Sequence, residues 1–167
     1  MALTGVTTWQ LTLTDPSRVR PKPAPRPDAT LTRVQLPCPE FSEFLYRTVG
    51  GNWHWLDRLG WSGDDWGQWV TGVETWVAYV AGTPAGYFEL QPRQDRTVHL
   101  VLFGLLPWAI GQGLGGWLLT EAITRAWALG PQTVTVDTCS LDGPHALPNY
   151  QARGFAISRI VTSTANI

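Results

Sequence analysis

The chain has 167 residues, a formal net charge of −1 at pH 7 and 15% charged residues. This length predicts one domain, or one domain with an arm, and suffices to bury a full hydrophobic core. The near-zero charge gives no general attraction to nucleic acid or to an anionic membrane, so we expect neither as a partner.

The cysteines are few and widely spaced. Cys38 and Cys139 lack the spacing of metal ligands, so we expect reduced thiols and no metal site. No run of about 18 apolar residues occurs, and the N-terminus lacks the basic and then apolar pattern of a secretion signal. These features predict a soluble, cytoplasmic protein.

The N-terminal region differs in composition from the rest. Residues 7–14 alternate apolar and polar side chains, which predicts a strand. Residues 21–27 contain four prolines, which favour an extended polyproline segment because proline cannot donate a backbone hydrogen bond. We therefore divide the chain into an N-terminal strand with a proline-rich arm, 1–28, and a domain, 29–167.

The remaining elements follow from periodicity and from turn residues. Strands are predicted at 29–36, 75–80, 85–90, 97–106, 133–137 and 155–161, and helices at 39–49, from 62 onward, at 117–129 and at 145–153. Antiparallel hairpins followed by a strand–helix–strand unit predict an α+β fold. We expect a central mixed sheet, mostly antiparallel, with helices on both faces and one parallel crossover.

A glycine cluster at Gly111, Gly113, Gly115 and Gly116 precedes the helix predicted at 117–129. The first turn of a helix carries unpaired N–H groups and the positive end of the macrodipole. Glycines let a phosphate approach these groups closely. The cluster therefore predicts a phosphate site that uses the backbone.

Two other phosphate motifs compete for this interpretation. A P-loop is excluded, because Trp117 and Leu118 follow where Lys and Ser/Thr are needed. The dinucleotide fingerprint GxGxxG does match Gly111, Gly113 and Gly116. Two features count against a doubly wound sheet: the residues that separate the strand from the first glycine, and the short stretch of chain after Asp137. A dinucleotide-binding oxidoreductase fragment is therefore the weaker alternative.

The chain resembles the GCN5-related N-acetyltransferase (GNAT) family. The family signature, Arg/Gln-x-x-Gly-x-Gly/Ala between a strand and a helix, is matched at Gly113 and Gly115, although Ile110 replaces its Arg/Gln. The run from Asn149-Tyr150 to Gly154-Phe155 resembles the family's tyrosine-bearing helix and the strand entry after it. The resemblance covers residues 75–160 by motif and 29–74 by element order.

The resemblance implies transfer of an acetyl or other acyl group from acetyl-CoA to a primary amine, with no metal. It implies that Leu105 and Leu106 hold the pantetheine and that Asn149 and Tyr150 border the coenzyme. The pyrophosphate is expected at the amides of Gly111, Gln112, Gly113, Leu114, Gly115 and Gly116.

The resemblance assigns Tyr150 as the general acid for the leaving thiolate. The alternative is a half-buried structural tyrosine. A base with a pKa near neutrality suits deprotonation of the amine, and Glu89 and His99 are the candidates. Each has a plainer interpretation, Glu89 as a solvated sheet residue and His99 as an edge residue, and water relayed by backbone carbonyls is a further option.

The acceptor is expected over the early helices and the loop after them. Candidates there are Tyr46, Trp53, Trp55 and Asp57, whose ring faces and carboxylate suit an ammonium group. The partner would be a small-molecule amine or a peptide or protein amine, and the sequence is also compatible with a homodimer. The main alternative function is a non-catalytic acyl-CoA-binding or regulatory domain with the same fold.

Overall fold

A computed structural model describes residues 3–166 of the chain. Residues 1 and 2, which begin the predicted N-terminal segment, and residue 167, which ends the predicted domain, lie outside the described residues. The strands are β1 (Leu3–Leu13), β2 (Ala29–Arg33), β3 (Glu74–Val80), β4 (Thr83–Pro92), β5 (Thr97–Leu105), β6 (Thr133–Cys139) and β7 (Ala156–Asn166). The helices are α1 (Pro39–Gly50), α2 (Gly63–Thr71), α3 (Leu114–Ala128) and α4 (Ala146–Arg153).

The seven strands form one sheet in the order β2-β3-β4-β5-β6-β1-β7. All neighbouring pairs are antiparallel except β5 and β6, which α3 connects. The predicted α+β fold with a mostly antiparallel mixed sheet and one parallel pair is therefore confirmed. Two buried clusters cover the two faces of the sheet: α1 packs with Val77 and Tyr87, and α3 packs with Phe88 and Leu90.

The segment predicted as an N-terminal strand and arm contributes to this same sheet. β1 lies between β6 and β7, and its register with β7 begins at Leu3 opposite Asn166. Residues 14–28 then run from β1 to the opposite edge strand β2. Spatially, β1 is thus an inner strand of the domain, a placement that local sequence patterns do not reveal because its partners are distant in sequence.

Local signals explain where several elements start and stop. Ser62 caps α2 in a reciprocal capping box with Asp65, which places the start of this helix where it was predicted. Ala81 and Gly82 both have positive φ at the predicted hairpin between β3 and β4. The prediction of α3 was wrong at its start: the helix begins at Leu114, because Gly113 adopts φ 77° and turns the chain directly into it.

Other boundaries also differ from the predictions. β2 ends at Arg33 rather than 36, and β7 continues well past 161 because it stays paired with β1. No helix in the described part of the chain combines the length and the apolar character needed to cross a membrane. Both cysteines are free thiols.

Candidate active site

The parallel strands β5 and β6 separate part-way along their length. Their register runs from Thr97 opposite Thr133 to Leu100 opposite Val136 and then stops, although β5 continues to Leu105 and β6 to Cys139. Beyond that point the β6-facing edge of β5 has no strand partner among residues 3–166, while its other edge stays paired with β4. Its free backbone groups can bind an extended ligand with amide groups.

A cavity of about 1020 Å³ occupies this gap. Its walls come from the diverging halves of β5 and β6, the loop before α3, the start of α3, α4 and the loop after α1. Leu105, Gly111, Gly113, Leu114, Gly115, Gly116, Asn149 and Tyr150 of the predicted coenzyme site all line it. The sequence motifs therefore meet around one space.

The glycine cluster forms the turn into α3. Gly111 and Gly113 have φ of 81° and 77°, a region that residues with a side chain rarely adopt. Among residues 3–166 no protein group accepts a hydrogen bond from the N–H groups of 111–116. These donors lie at the positive end of α3, so the turn offers a binding site for an anion.

Two residues of the predicted coenzyme site do not line the cavity. The backbone N–H of Leu106 donates to the carbonyl of Ala85, at 2.8 Å, and is thus part of the sheet. The side chain of Gln112 turns back and donates from Nε2 to the carbonyl of Trp108, at 2.7 Å. Gln112 therefore does not replace the polar side chain that Ile110 lacks.

Tyr150 lies in α4 and is buried, with 5% of the residue exposed. Its ring packs edge-on against Phe103 and Phe155, with centroids 5.9 and 6.0 Å away. Burial, reinforced by the nearby Asp142 carboxylate, raises the pKa of the Tyr150 phenol well above its usual value. The phenol therefore stays protonated at neutral pH, and the same shift makes it a weaker acid than a free tyrosine.

Asn149, the neighbour of Tyr150, connects α4 to α3. Its side-chain amide donates to the carbonyl of Gly115 at 3.1 Å. This contact fixes the tyrosine-bearing helix against the glycine turn, so the two motifs predicted to form the coenzyme site are joined directly.

The two candidate bases, Glu89 and His99, lie outside the cavity lining. Glu89 Oε2 accepts hydrogen bonds from Trp69 Nε1 at 2.8 Å and from Arg58 Nη1 at 3.2 Å. Glu89 is completely buried, because β4 is an inner strand covered on both faces, so its interpretation as a solvated residue was wrong. Burial raises the pKa of its carboxyl, although Arg58 and Trp69 oppose the shift.

His99 is a buried sheet residue rather than an edge residue. Its Nδ1 lies 2.7 Å from Thr135 Oγ1 on the neighbouring strand. Burial, and then the positive charge of Arg93, lowers the pKa of the imidazole, while Asp137 opposes the shift. His99 is therefore neutral at physiological pH, but its contacts are within the sheet.

The predicted acceptor residues do meet at one end of the cavity. Tyr46, Trp53, Trp55 and Asp57 all line it. The rings of Tyr46 and Trp55 lie 5.5 Å apart. The Trp53 ring packs against Gly143 on the loop before α4. A Cβ added to Gly143 would lie 3.4 Å from this ring.

Three further charged residues line the cavity: Arg58, which lies in the expected acceptor region, and Lys22 and Arg153, which the sequence did not indicate as site residues. Arg58 stacks on the rings of Trp69 and Trp61, with its guanidinium carbon 4.1 and 4.8 Å from their centroids. Lys22 comes from the proline-rich arm, and Arg153 from the end of α4. Lys22 could have been noticed as the only lysine of the chain, but nothing local connects the arm with the glycine turn.

The dinucleotide-binding alternative does not fit this architecture. A doubly wound fold needs several adjacent parallel strands, whereas this sheet has one parallel pair. No group of three or more His, Cys, Asp or Glu side chains positioned to hold a metal occurs within residues 3–166.

Comparisons with known proteins agree with this architecture. A GCN5-related N-acetyltransferase from Sphaerobacter thermophilus superposes with a TM-score of 0.72 at 16% identity, over 98% of this chain and 52% of that one. One from Kribbella flavida gives 0.68 at 16% identity, over 95% and 59%. A Bacillus subtilis acetyltransferase in complex with CoA gives 0.62 at 22% identity, over 78% of each chain.

The chain thus spans little more than half the length of the first two of these proteins. No curated protein sequence matches it significantly. The family model "Acetyltransferase (GNAT) family" matches residues 35–155, which include every secondary-structure element from α1 to α4. The chain therefore belongs to the GNAT acetyltransferase family.

Proposed function

We propose that this chain transfers an acetyl or related acyl group from acetyl-CoA to a primary amine, by direct attack in a ternary complex. The observation that carries the proposal is the cavity between the separated strands, which connects the free amides of 111–116 with the hydroxyl-bearing ring of Tyr150. A cofactor with a diphosphate, an amide-containing arm and a thioester matches these features in order along one space.

Each part of the site has a role in this proposal. The amides before α3 would bind the diphosphate, and the free edge of β5 near Leu105 would bind the pantetheine amides. Because the site would hold the thioester and the amine together in a reactive orientation, the activation barrier for acyl transfer is lowered. The amine nitrogen forms a bond to the acyl carbon, the carbon–sulfur bond breaks, and Tyr150 donates its proton to the leaving sulfur.

The amine must also lose a proton, and neither Glu89 nor His99 borders the cavity. We therefore favour water as the proton acceptor, in contact with the free carbonyls of β5. The same water can return a proton to Tyr150 after the product leaves. On this basis, amines that are partly neutral near pH 8 are the better substrates.

The acceptor would bind between the aromatic side chains of Tyr46, Trp53 and Trp55. Aromatic ring faces attract ammonium groups, and the Asp57 carboxylate adds negative charge at the same place. We propose a small-molecule or peptide amine with an apolar body as the substrate class. A cytoplasmic location and a homodimer stay predictions.

A test is to mix the protein with acetyl-CoA and a panel of primary amines and to follow release of the CoA thiol. Tyr150→Phe is expected to lower kcat by about 10² or more, with binding of acetyl-CoA retained, because only the transferable proton is removed. Tyr79→Phe, on β3 and outside the cavity lining, serves as the matched control.

The placement of both candidate bases outside the cavity also suits the alternative of a non-catalytic acyl-CoA-binding domain. In that case acetyl-CoA binds, no amine of the panel is acylated, and Tyr150→Phe changes nothing beyond affinity. Absence of acetyl-CoA binding to the unaltered protein would contradict both functions.

A further inference from the structure

The proline-rich arm passes directly over the glycine turn. The carbonyl of Arg18 lies against Gly154, and the N–H of Arg20 donates to the carbonyl of Arg153 at 3.0 Å. The N–H of Lys22 then donates to Thr120 Oγ1 at 2.9 Å, on the second turn of α3. These contacts attach the arm first to the end of α4 and then to the beginning of α3.

Gly116 lies where this arm meets α3. A Cβ at this position would lie 2.6 Å from Cδ of Lys22 and 2.7 Å from Nη1 of Arg153. Thr120 Oγ1, which accepts from Lys22, itself donates to the carbonyl of Gly116 at 2.8 Å. Gly116 therefore admits two cationic side chains to the first turn of the helix.

The positive charges in this region have no acidic counter-ion within residues 3–166. Lys22 and Arg153 converge at the positive end of α3, and neither forms an ion pair with an acidic side chain in the described part of the chain. The Nε of Arg153 is buried there without a hydrogen-bond partner. Two cations beside a positive helix end repel each other, so the arrangement is suited to an anion between them.

We propose that Lys22, together with Arg153, binds the diphosphate of the coenzyme, so that the arm forms one wall of the acetyl-CoA site. This inference rests on the proposed function. It also accounts for Ile110: where the family signature has Arg or Gln, this chain has an apolar residue, and positive charge comes instead from Arg153 and from Lys22, which lies outside the matched family region.

The binding experiment uses isothermal titration of the full chain with acetyl-CoA, dephospho-acetyl-CoA and S-acetylpantetheine. Lys22→Ala is expected to weaken acetyl-CoA and dephospho-acetyl-CoA equally, by about tenfold, since a charge-assisted hydrogen bond to phosphate is lost. S-acetylpantetheine, which has no diphosphate, should bind equally to both proteins. Lys22→Arg should restore most of the affinity.

Arg20→Ala is the matched control. It removes one positive charge from the same arm, but its side chain does not line the cavity and its backbone contact is retained. It is expected to change acetyl-CoA binding by less than about twofold. A thermal melt of each variant checks that the exposed substitutions leave the fold intact.

The outcomes separate the two proposals. If the unaltered protein binds none of the acyl-CoA probes, the proposed function fails. If it binds acetyl-CoA but Lys22→Ala binds equally well, the inference about the arm is wrong and the proposed function stands. A loss seen with acetyl-CoA but absent with dephospho-acetyl-CoA would also overturn it, because the charge would then contact the 3′-phosphate.

A second measurement uses the fact that Lys22 is the only lysine. Reductive methylation followed by peptide mass analysis distinguishes Lys22 from the α-amino group. Bound CoA is expected to protect Lys22 from methylation and to leave the α-amino group unaffected. Equal methylation of Lys22 with and without saturating CoA would contradict the proposed contact.

Discussion

Arg58 and Glu89 form a buried ion pair, with Nη1 of the arginine 3.2 Å from Oε2 of the glutamate and side-chain exposures of 8% and 0%. Trp69 contacts both members of the pair. The guanidinium carbon of Arg58 stacks 4.1 Å from the centroid of its ring, and its Nε1 donates to Glu89 Oε2 at 2.8 Å. The pair fixes the loop after α1 to β4. Since that loop carries Trp53, Trp55 and Asp57, the pair positions the proposed acceptor site, and Arg58 itself lines the cavity.

Glu89→Gln is expected to lower the free energy of unfolding by about 3 kcal/mol at pH 8, because it leaves the Arg58 charge buried and unpaired. Chemical denaturation measures the change. Glu74→Gln is the matched control, since Glu74 likewise accepts from a tryptophan and pairs with an arginine, but that arginine, Arg33, is 48% exposed. Glu74→Gln should lower the free energy of unfolding by about 1 kcal/mol or less.

Replacing both members of the buried pair should cost less than replacing one. The double variant Arg58→Met with Glu89→Leu is expected to be more stable than Glu89→Gln, because no buried charge is left without a partner. A double variant that is less stable than the single one would show that the pair itself contributes a large net stabilisation.

The depressed pKa of His99 predicts a pH dependence of stability. The folded state disfavours the protonated imidazole, so its contribution is fully present above the unfolded pKa of about 6.5 and is lost as pH falls toward the lowered folded pKa. Denaturation at several pH values should show stability falling below pH 6.5, and the fall should be shallower in His99→Gln. An identical pH profile in the variant would contradict this.

Gly113→Ala should affect both stability and binding. A positive φ of 77° costs a residue with a side chain about 1 kcal/mol or more, and displacement of the turn should weaken acetyl-CoA binding severalfold. Gly130, after α3, has the same φ of 77° and lies in open space, away from the cavity. Gly130→Ala should therefore lose similar stability with unchanged binding.

Gly104 tests the packing behind the cavity. A Cβ there would lie 2.5 Å from Cγ1 of Val49, which is 1% exposed, so Gly104→Ala should cost about 1–3 kcal/mol by overpacking. Val49→Ala opens the needed space. The double variant should be clearly more stable than the sum of the two single losses of unfolding free energy predicts. If the two losses simply add in chemical denaturation, the contact between position 104 and Val49 is refuted.

The success and failure of the sequence predictions have physical causes. The helix after the glycine turn, the helix that starts after Ser62 and the parallel crossover follow from local sequence patterns, and the structure confirms them. The start of α3 was placed too late because glycines disfavour helix interiors, yet Gly115 and Gly116 lie in its first turn. There Gly116 makes room for Lys22 and Arg153.

The remaining differences depend on contacts between distant segments. The sequence of β4 did not show that Glu89 is buried, because burial on both faces depends on the strand's inner position in the sheet. The site role inferred for Lys22 depends on where a proline-rich segment crosses the fold. Side-chain type and sequence spacing predicted the main residues of the cavity. The tertiary structure determined which of the predicted residues line it.

The insertion of β1 between β6 and β7 has a consequence for biosynthesis. β7 reaches the sheet only through β1, and β1 pairs with no strand made before β6. β1 must therefore wait, without its partners, until β6 has been synthesised more than a hundred residues later, and such distant pairing is slow. A nascent chain halted before β6 would have neither the second wall of the cavity nor the docked arm, so ligand binding can begin only after β6 and α4 have been synthesised.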